Sequence, residues 1–595
     1  MTILNGPPQT SSMSSSPMRN RLLVRHFLLR FLEHDLVSPD ADRREVLSVA
    51  GGTLIAVSLF LSALIALQYQ FNNFLPPGLT SLRSVDERFL FVSASMLVMA
   101  LLAVALWDAL ALDARDAAVL GILPVPHALV IRAKFTAIAL LAAGTTLAWN
   151  FFPVVLRAGA VPVGLPIGLG GMVVLTLAQA AVTLGAGTFG FLAVFALREV
   201  LMALIGRERF RLVSPALQAV LVVVLTSALL LLPRSATRTA STWMRPHPVA
   251  ANALPPFWFV GLHETLAGNV IDRLPRTKPP RYLAAAERDA TNLYRSLWPL
   301  YDQLGRLALE ALVIVTALAI SACAWNNRRL PVPTIARRRR MAAIRVAWRW
   351  TLTHFVARSP LQLAGFSFTL QTLPRRITHR AVVASAMAVG VSLIVITASG
   401  GNVTMLAAQS LLLASLLTGF RHAIQLPAEL RASSTFRLAW TGHHRPYLSG
   451  VKRAGLVGVV LPALLVLSVW HTLIFGLRIA VLHFATGAVF SILMMDVLFL
   501  RYRQLPLVSA YVPHADLKSR GPAYVAAVLT ASYALAWAEQ SAMTAGTTYV
   551  FVLLIVGVGL AASVTALDRA WRATATVTDV DEETPLPTQR LNLAG

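Results

Sequence analysis

Twelve separate runs of about twenty apolar residues constrain this chain more than any other feature of its sequence. They fall at 46–68, 88–112, 135–156, 169–197, 214–233 and 306–325, then at 380–398, 402–424, 454–473, 477–500, 523–540 and 547–567. A helix of that length crosses a hydrocarbon layer of about 30 Å. The expected fold is therefore all-α: a polytopic transmembrane helical bundle of about twelve spans in two six-helix halves, with interfacial amphipathic helices. Composition agrees, because 56% of residues are hydrophobic and 13% charged, about half the charge of an ordinary soluble domain. The run 169–197 is long enough to tilt or break, with Gly185, Gly187 and Gly190 as weak points.

Lys and Arg set the orientation. Arg19, Arg21, Arg25, Arg30, Arg43 and Arg44 precede the first run and hold the N-terminus inside. Later inside segments carry Arg115, Arg132 and Lys134; Arg198, Arg207, Arg209 and Arg211; a dense block from Arg328 to Arg380; and Arg421 to Arg453. The short outside loops at 157–168, 399–402, 474–477 and 541–546 are nearly free of Lys and Arg. Both termini are expected in the cytoplasm. The net charge of +25 is then a membrane-facing charge, with anionic lipid as its counterpart and no nucleic-acid partner.

Between and around the spans the chain divides further. Residues 1–20 and the polar tail 568–595 have the composition of disordered segments. Residues 21–37 place Leu22, Leu23, Phe27, Leu28, Phe31 and Leu32 at helical spacing opposite Arg25, Arg30 and Glu33, as an interfacial helix does. The first half, 46–325, contains a long outer loop, 234–305, with the stretch 255-PPFWFVGLHETLAG-268 and a helix expected over 282–304. We expect a lid of interfacial helices there, with Trp258 and Trp298 at headgroup level. A basic linker, 326–379, leads to the second half, 380–567.

No P-loop, C-x-x-C, H-E-x-x-H or G-x-S-x-G motif occurs, so no nucleotide, metal or nucleophile site is expected, and no cofactor. His263-Glu264 reads as loop polarity, and His443-His444 lies in a basic loop without nearby acids. Ionisable residues inside spans carry more information, because charge in lipid is costly. Asp108, Glu310, His483 and Asp496 are the candidates, with Glu539 closer to a span end. Asp108 and Asp496 lie near the cytoplasmic side, where pairing with Arg115 and Arg501 accounts for them; Glu310 has Arg306 one turn away. A proton relay would want several acids at mid-membrane depth, which the sequence does not display.

Two cytoplasmic phrases point further. The segment 116-DAAVLGILPVPHALVIRAK-134 resembles the stretch between the second and third spans of type-2 ABC transporter permeases. The amphipathic stretch 21–37 resembles their elbow helix, and the whole chain is similar to a double-length bacterial form with two fused six-span halves. The phrases 426-LPAELRASSTFRLAW-440 and 505-LPLVSAYVP-513 fit that form, although the second half lacks the acid before Leu426-Pro427 and carries Glu429 after it. The resemblance implies a non-catalytic membrane subunit of an inner-membrane exporter, driven by a separate ABC ATPase in two copies. It assigns ATPase coupling to Asp116, Leu123, Pro124, Arg132 and Lys134 in the first half, and to Leu426, Pro427, Glu429, Arg431 and Arg437 in the second. A twelve-span gradient-driven transporter is the alternative, and the Gly-rich run 169–197 is the feature that favours it.

Overall fold

The computed structural model describes residues 16–32, 43–71, 77–107, 127–160, 168–236, 243–272, 281–328, 359–397, 402–428, 444–500, 502, 505–508 and 516–574. Among them there are helices and no strand, and nine helices are long and apolar enough to cross a membrane. The protein is an all-α polytopic bundle. Its chain forms two compact units, Met1–Val213 with Ala228–Pro331, and Ser214–Ser227 with Val332–Gly595.

The first unit is built from α1 (Ser16–Leu32), α2 (Arg43–Phe71), α3 (Pro77–Ala105), α4 (His127–Ala160), α5 (Leu169–Ile205) and α6 (Arg207–Ala236), whose middle belongs to the second unit. There follow α7 (Pro248–Ala253), α8 (Pro255–Asp272), α9 (Ala284–Ser296) and α10 (Trp298–Arg328). The second unit contains α11 (Pro360–Arg375), α12 (Ile377–Thr397), α13 (Asn402–Gln425) and α14 (His444–Gly455). A π-helical turn, Leu456–Val460, joins α14 to α15 (Leu461–Phe475); α16 (Leu477–Leu498), α17 (Asp516–Ala545) and α18 (Thr547–Thr574) complete it. Among the described residues, each of the twelve apolar runs falls mainly on helix. The π turn precedes Pro462, which lacks the N–H that an uninterrupted helix would need there.

α5 runs unbroken for 37 residues, about 55 Å at 1.5 Å per residue, so its glycines are not weak points. They are contact points. A Cβ on Gly190 would lie 2.3 Å from the Met96 carbonyl oxygen, and one on Gly187 would lie 2.9 Å from Ser95 Oγ. Without side chains, α5 comes close enough to α3 for Ser95 Oγ to donate to the Thr183 carbonyl at 2.9 Å.

The outer segment differs most from expectation. It is not a detached lid: α8 packs against α3, α5 and α10, and Phe257, Phe259, Val260 and Ala267 are buried. Trp258 donates to the Asn252 carbonyl at 2.8 Å and meets Phe189 edge-on, so its ring belongs to the unit's packing. The helix expected over 282–304 is two, α9 and α10, meeting at Leu297.

Each unit repeats one arrangement. In the first, amphipathic α1 lies on α4; in the second, α11 lies on α14, although α11 falls inside the stretch read as linker. Ser359 caps α11 by accepting from the Gln362 N–H at 3.3 Å, and Pro360 occupies its first turn. Further on, α3 packs on α5 and α5 on α10, as α13 packs on α16 and α16 on α18. α8 touches α3 and α10 as α17 touches α13 and α18. The units differ in their opening spans: α2 packs on α4, whereas α12 packs on α13.

Candidate functional site

The first of the predicted coupling phrases enters the described chain at α4. Arg132 is exposed there and Lys134 is buried, because two residues on a helix differ by about 200° in direction. Lys134 Nζ stands 5.8 Å from the ring of Phe27, which is fully buried against Val130, Ala133 and Ala137. The pair therefore does not act as one surface: Arg132 faces outward, and Lys134 lies beneath α1. Asp116, Leu123 and Pro124 lie outside the described residues, as do Asp108 and Arg115.

In the second unit Leu426 and Pro427 are buried at the end of α13. The Leu426 carbonyl is 3.1 Å from His379 Nε2, and the Ala428 N–H donates to the Leu507 carbonyl at 2.8 Å. Leu507 returns its own N–H to the Ile424 carbonyl at 2.7 Å, and these two bonds hold it at φ +66, a left-handed backbone that leucine rarely adopts. The two Leu-Pro phrases at 426 and 505 are thus bound to each other, which their separation in sequence conceals. Glu429, Arg431, Arg437 and Arg501 lie outside the described residues.

Each unit also holds a knot of cations, aromatics and a carboxylate. In the second unit Arg421 stacks on Phe499 and Tyr502, at 6.0 and 5.4 Å. Burial pushes the Tyr502 phenol above its ordinary range, and the Arg421 charge opposes the rise. Asp496 accepts from Lys452 at 3.0 Å and from Thr565 Oγ1 at 3.1 Å, so its partner is Lys452 on α14. In the first unit Arg198 lies over Trp107 and Phe210, at 6.0 and 5.9 Å, and pairs with Glu199. Glu199 accepts from Asn326 Nδ2 at 2.8 Å. A carboxylate near the C-terminal end of α5 or α16 therefore binds the last helix of its unit. Glu310 belongs to no such knot; it is exposed on α10, and Arg306 pairs with Asp302 instead.

Two buried polar clusters escaped sequence reading. His263-Glu264 is not loop polarity: Glu264 is 0% exposed and paired with Arg88, itself 1% exposed, and accepts from Tyr294 Oη at 2.6 Å. Beside it, Glu287 of α9 accepts from the Gly78 and Leu79 N–H groups at 2.7 and 3.1 Å and caps α3. In the second unit His483 Nδ1 lies 2.7 Å from Glu539 Oε1, which also accepts from Thr486 Oγ1 at 2.7 Å. His471 of α15 meets the His483 ring edge-on, with centroids 4.6 Å apart. A histidine and an acid within apolar runs were the available signal, but nothing local shows that α16 and α17 bring them together.

No protein-family model matches this chain, and neither does any curated protein or solved structure. The functional reading therefore rests on the residues and the geometry described above.

Proposed function

We propose that this chain is the membrane-spanning permease subunit of an ATP-driven exporter, carrying both halves in one polypeptide and worked by a separate ABC ATPase on its cytoplasmic side. The observation that carries the reading is the repeated clasp of an amphipathic helix on the start of the third span, α1 on α4 and α11 on α14. A permease without a nucleotide site needs a surface where an outside motor can push. On this reading the push enters through the phrases that precede α4 and α14 in sequence, and each clasp passes it to a rigid span. The knots at Glu199 and Asp496 then link the fourth span of each unit to its last. The family resemblance of 116–134 and 426–440 supplies the identity of the motor.

The test is affinity purification of the tagged full chain in mild detergent with identification of co-purifying proteins. An ATPase with Walker motifs is expected, lost when Leu123–Lys134 is replaced by a flexible linker of equal length. Repeated recovery of the chain alone, or an ATPase retained by that variant, refutes the reading. A gradient-driven transporter is the second reading, and the buried Glu539 with its two histidines is the observation that favours it.

A further inference from the structure

The cluster around Glu539 has a chemistry that the permease reading does not use. His483 stands six residues from the start of α16, and Glu539 six from the end of α17, each about 9 Å inside its helix end. Glu539 and His483 are 1% and 2% exposed. Their small gap is lined further by Leu406, Gln409, Ser410, Thr486, Leu535 and Ala536, none of which carries a charge. Gln409 of α13 donates to the His483 carbonyl at 2.6 Å, and α15 contributes His471. α18, packed on both α16 and α17, carries Tyr549, Asp568 and Arg569, and none of these lines the gap. No Lys or Arg among the described residues therefore faces this carboxylate.

A neutral imidazole N–H donating to Glu539 leaves the pair with one negative charge in a bundle of low dielectric. One added proton, on the imidazole or on the carboxylate, makes the pair neutral. Basic nitrogens lie beside it: among the described residues, both ring nitrogens of His471 and Nε2 of His483 are buried without a hydrogen-bond partner. We propose that Glu539, His483 and His471 form a proton-binding site of the second unit. With the proton bound, α16 and α17 stay bridged by the His483–Glu539 hydrogen bond as seen. Without it, the uncompensated charge draws water in and the two helix ends separate. The proton is thereby coupled to the spacing of two spans, independently of what drives transport.

The experiment uses the full chain in lipid nanodiscs. Cys323 is its one cysteine, so Cys323→Ser gives a background for two spin labels, at Arg478→Cys on α16 and Ser541→Cys on α17, both exposed. The distance between labels is measured by pulsed electron resonance from about pH 5 to pH 9, the range where histidine sites change charge. The expected result is a distance that lengthens as pH rises, and loses this response in Glu539→Gln, which keeps the shape without the charge. His483→Gln, which keeps a donor but cannot carry a proton, is expected to move the pH of the transition. A wild-type distance that ignores pH overturns the proposal, and so does a response unchanged in both variants.

Discussion

Removing the charge of Glu264 alone is expected to destabilise the first unit by about 3–5 kcal/mol, the cost of stranding a buried partner. Arg88 is 1% exposed and lies against Glu264 from α3, while the carboxylate is enclosed by α8, Tyr294 and Gly268. A Cβ on Gly268 would lie 3.0 Å from Glu264 Oε2, so the pocket offers no room for the side chain to retreat. In Glu264→Gln the amide can still accept from Tyr294, but the guanidinium keeps its charge in a site that water does not reach. Arg88→Met should cost a comparable amount for the complementary reason. The double variant removes both charges, and its loss should fall well below the sum, because replacing a buried pair by apolar groups is often neutral. Unfolding of the purified chain in mixed micelles of increasing denaturing detergent measures all four corners of the cycle. Additive losses, with a coupling below about 1 kcal/mol, would falsify the claim that the two charges exist for each other.

Three further outcomes follow from the packing. Glu287→Ala should cost about 1–2 kcal/mol and expose the first turn of α3 to hydrogen exchange, because two N–H groups lose their acceptor; unchanged exchange at Gly78 and Leu79 would refute the cap. Gly190→Leu should lower stability by about 1–3 kcal/mol or more through collision with the Met96 carbonyl, whereas Gly144→Ala, with nothing within 4 Å of its new Cβ, should be neutral or slightly stabilising. Equal effects from the two, in a thermal-stability assay, would mean that α5 does not approach α3 as described. Phe27→Ala should cost about 3–5 kcal/mol locally and release α1 from α4, read as faster proteolysis between α1 and α2; protection equal to wild type would count against the clasp.

The sequence by itself determined the fold class and located the nine described helices that are long and apolar enough to cross a membrane, since runs of twenty apolar residues have few alternatives in water or lipid. It also marked α1, because its apolar face recurs at helical spacing within one segment. Periodicity reports which residues share a face and is silent on what that face meets. Hence nothing in the basic stretch 326–379 singles out α11, and spacing groups Lys134 with Arg132 although α1 covers one and leaves the other exposed. Tertiary structure alone decided the pairings across helices. Arg88 and Glu264 are 176 residues apart, Lys452 and Asp496 are 44, and His483 and Glu539 are 56. Read along the chain, none of them points to its partner. Burial in a low-dielectric bundle makes such residues expensive singly and tolerable together, so the partner is chosen by which helices pack, and that choice is written in the shapes of many side chains at once.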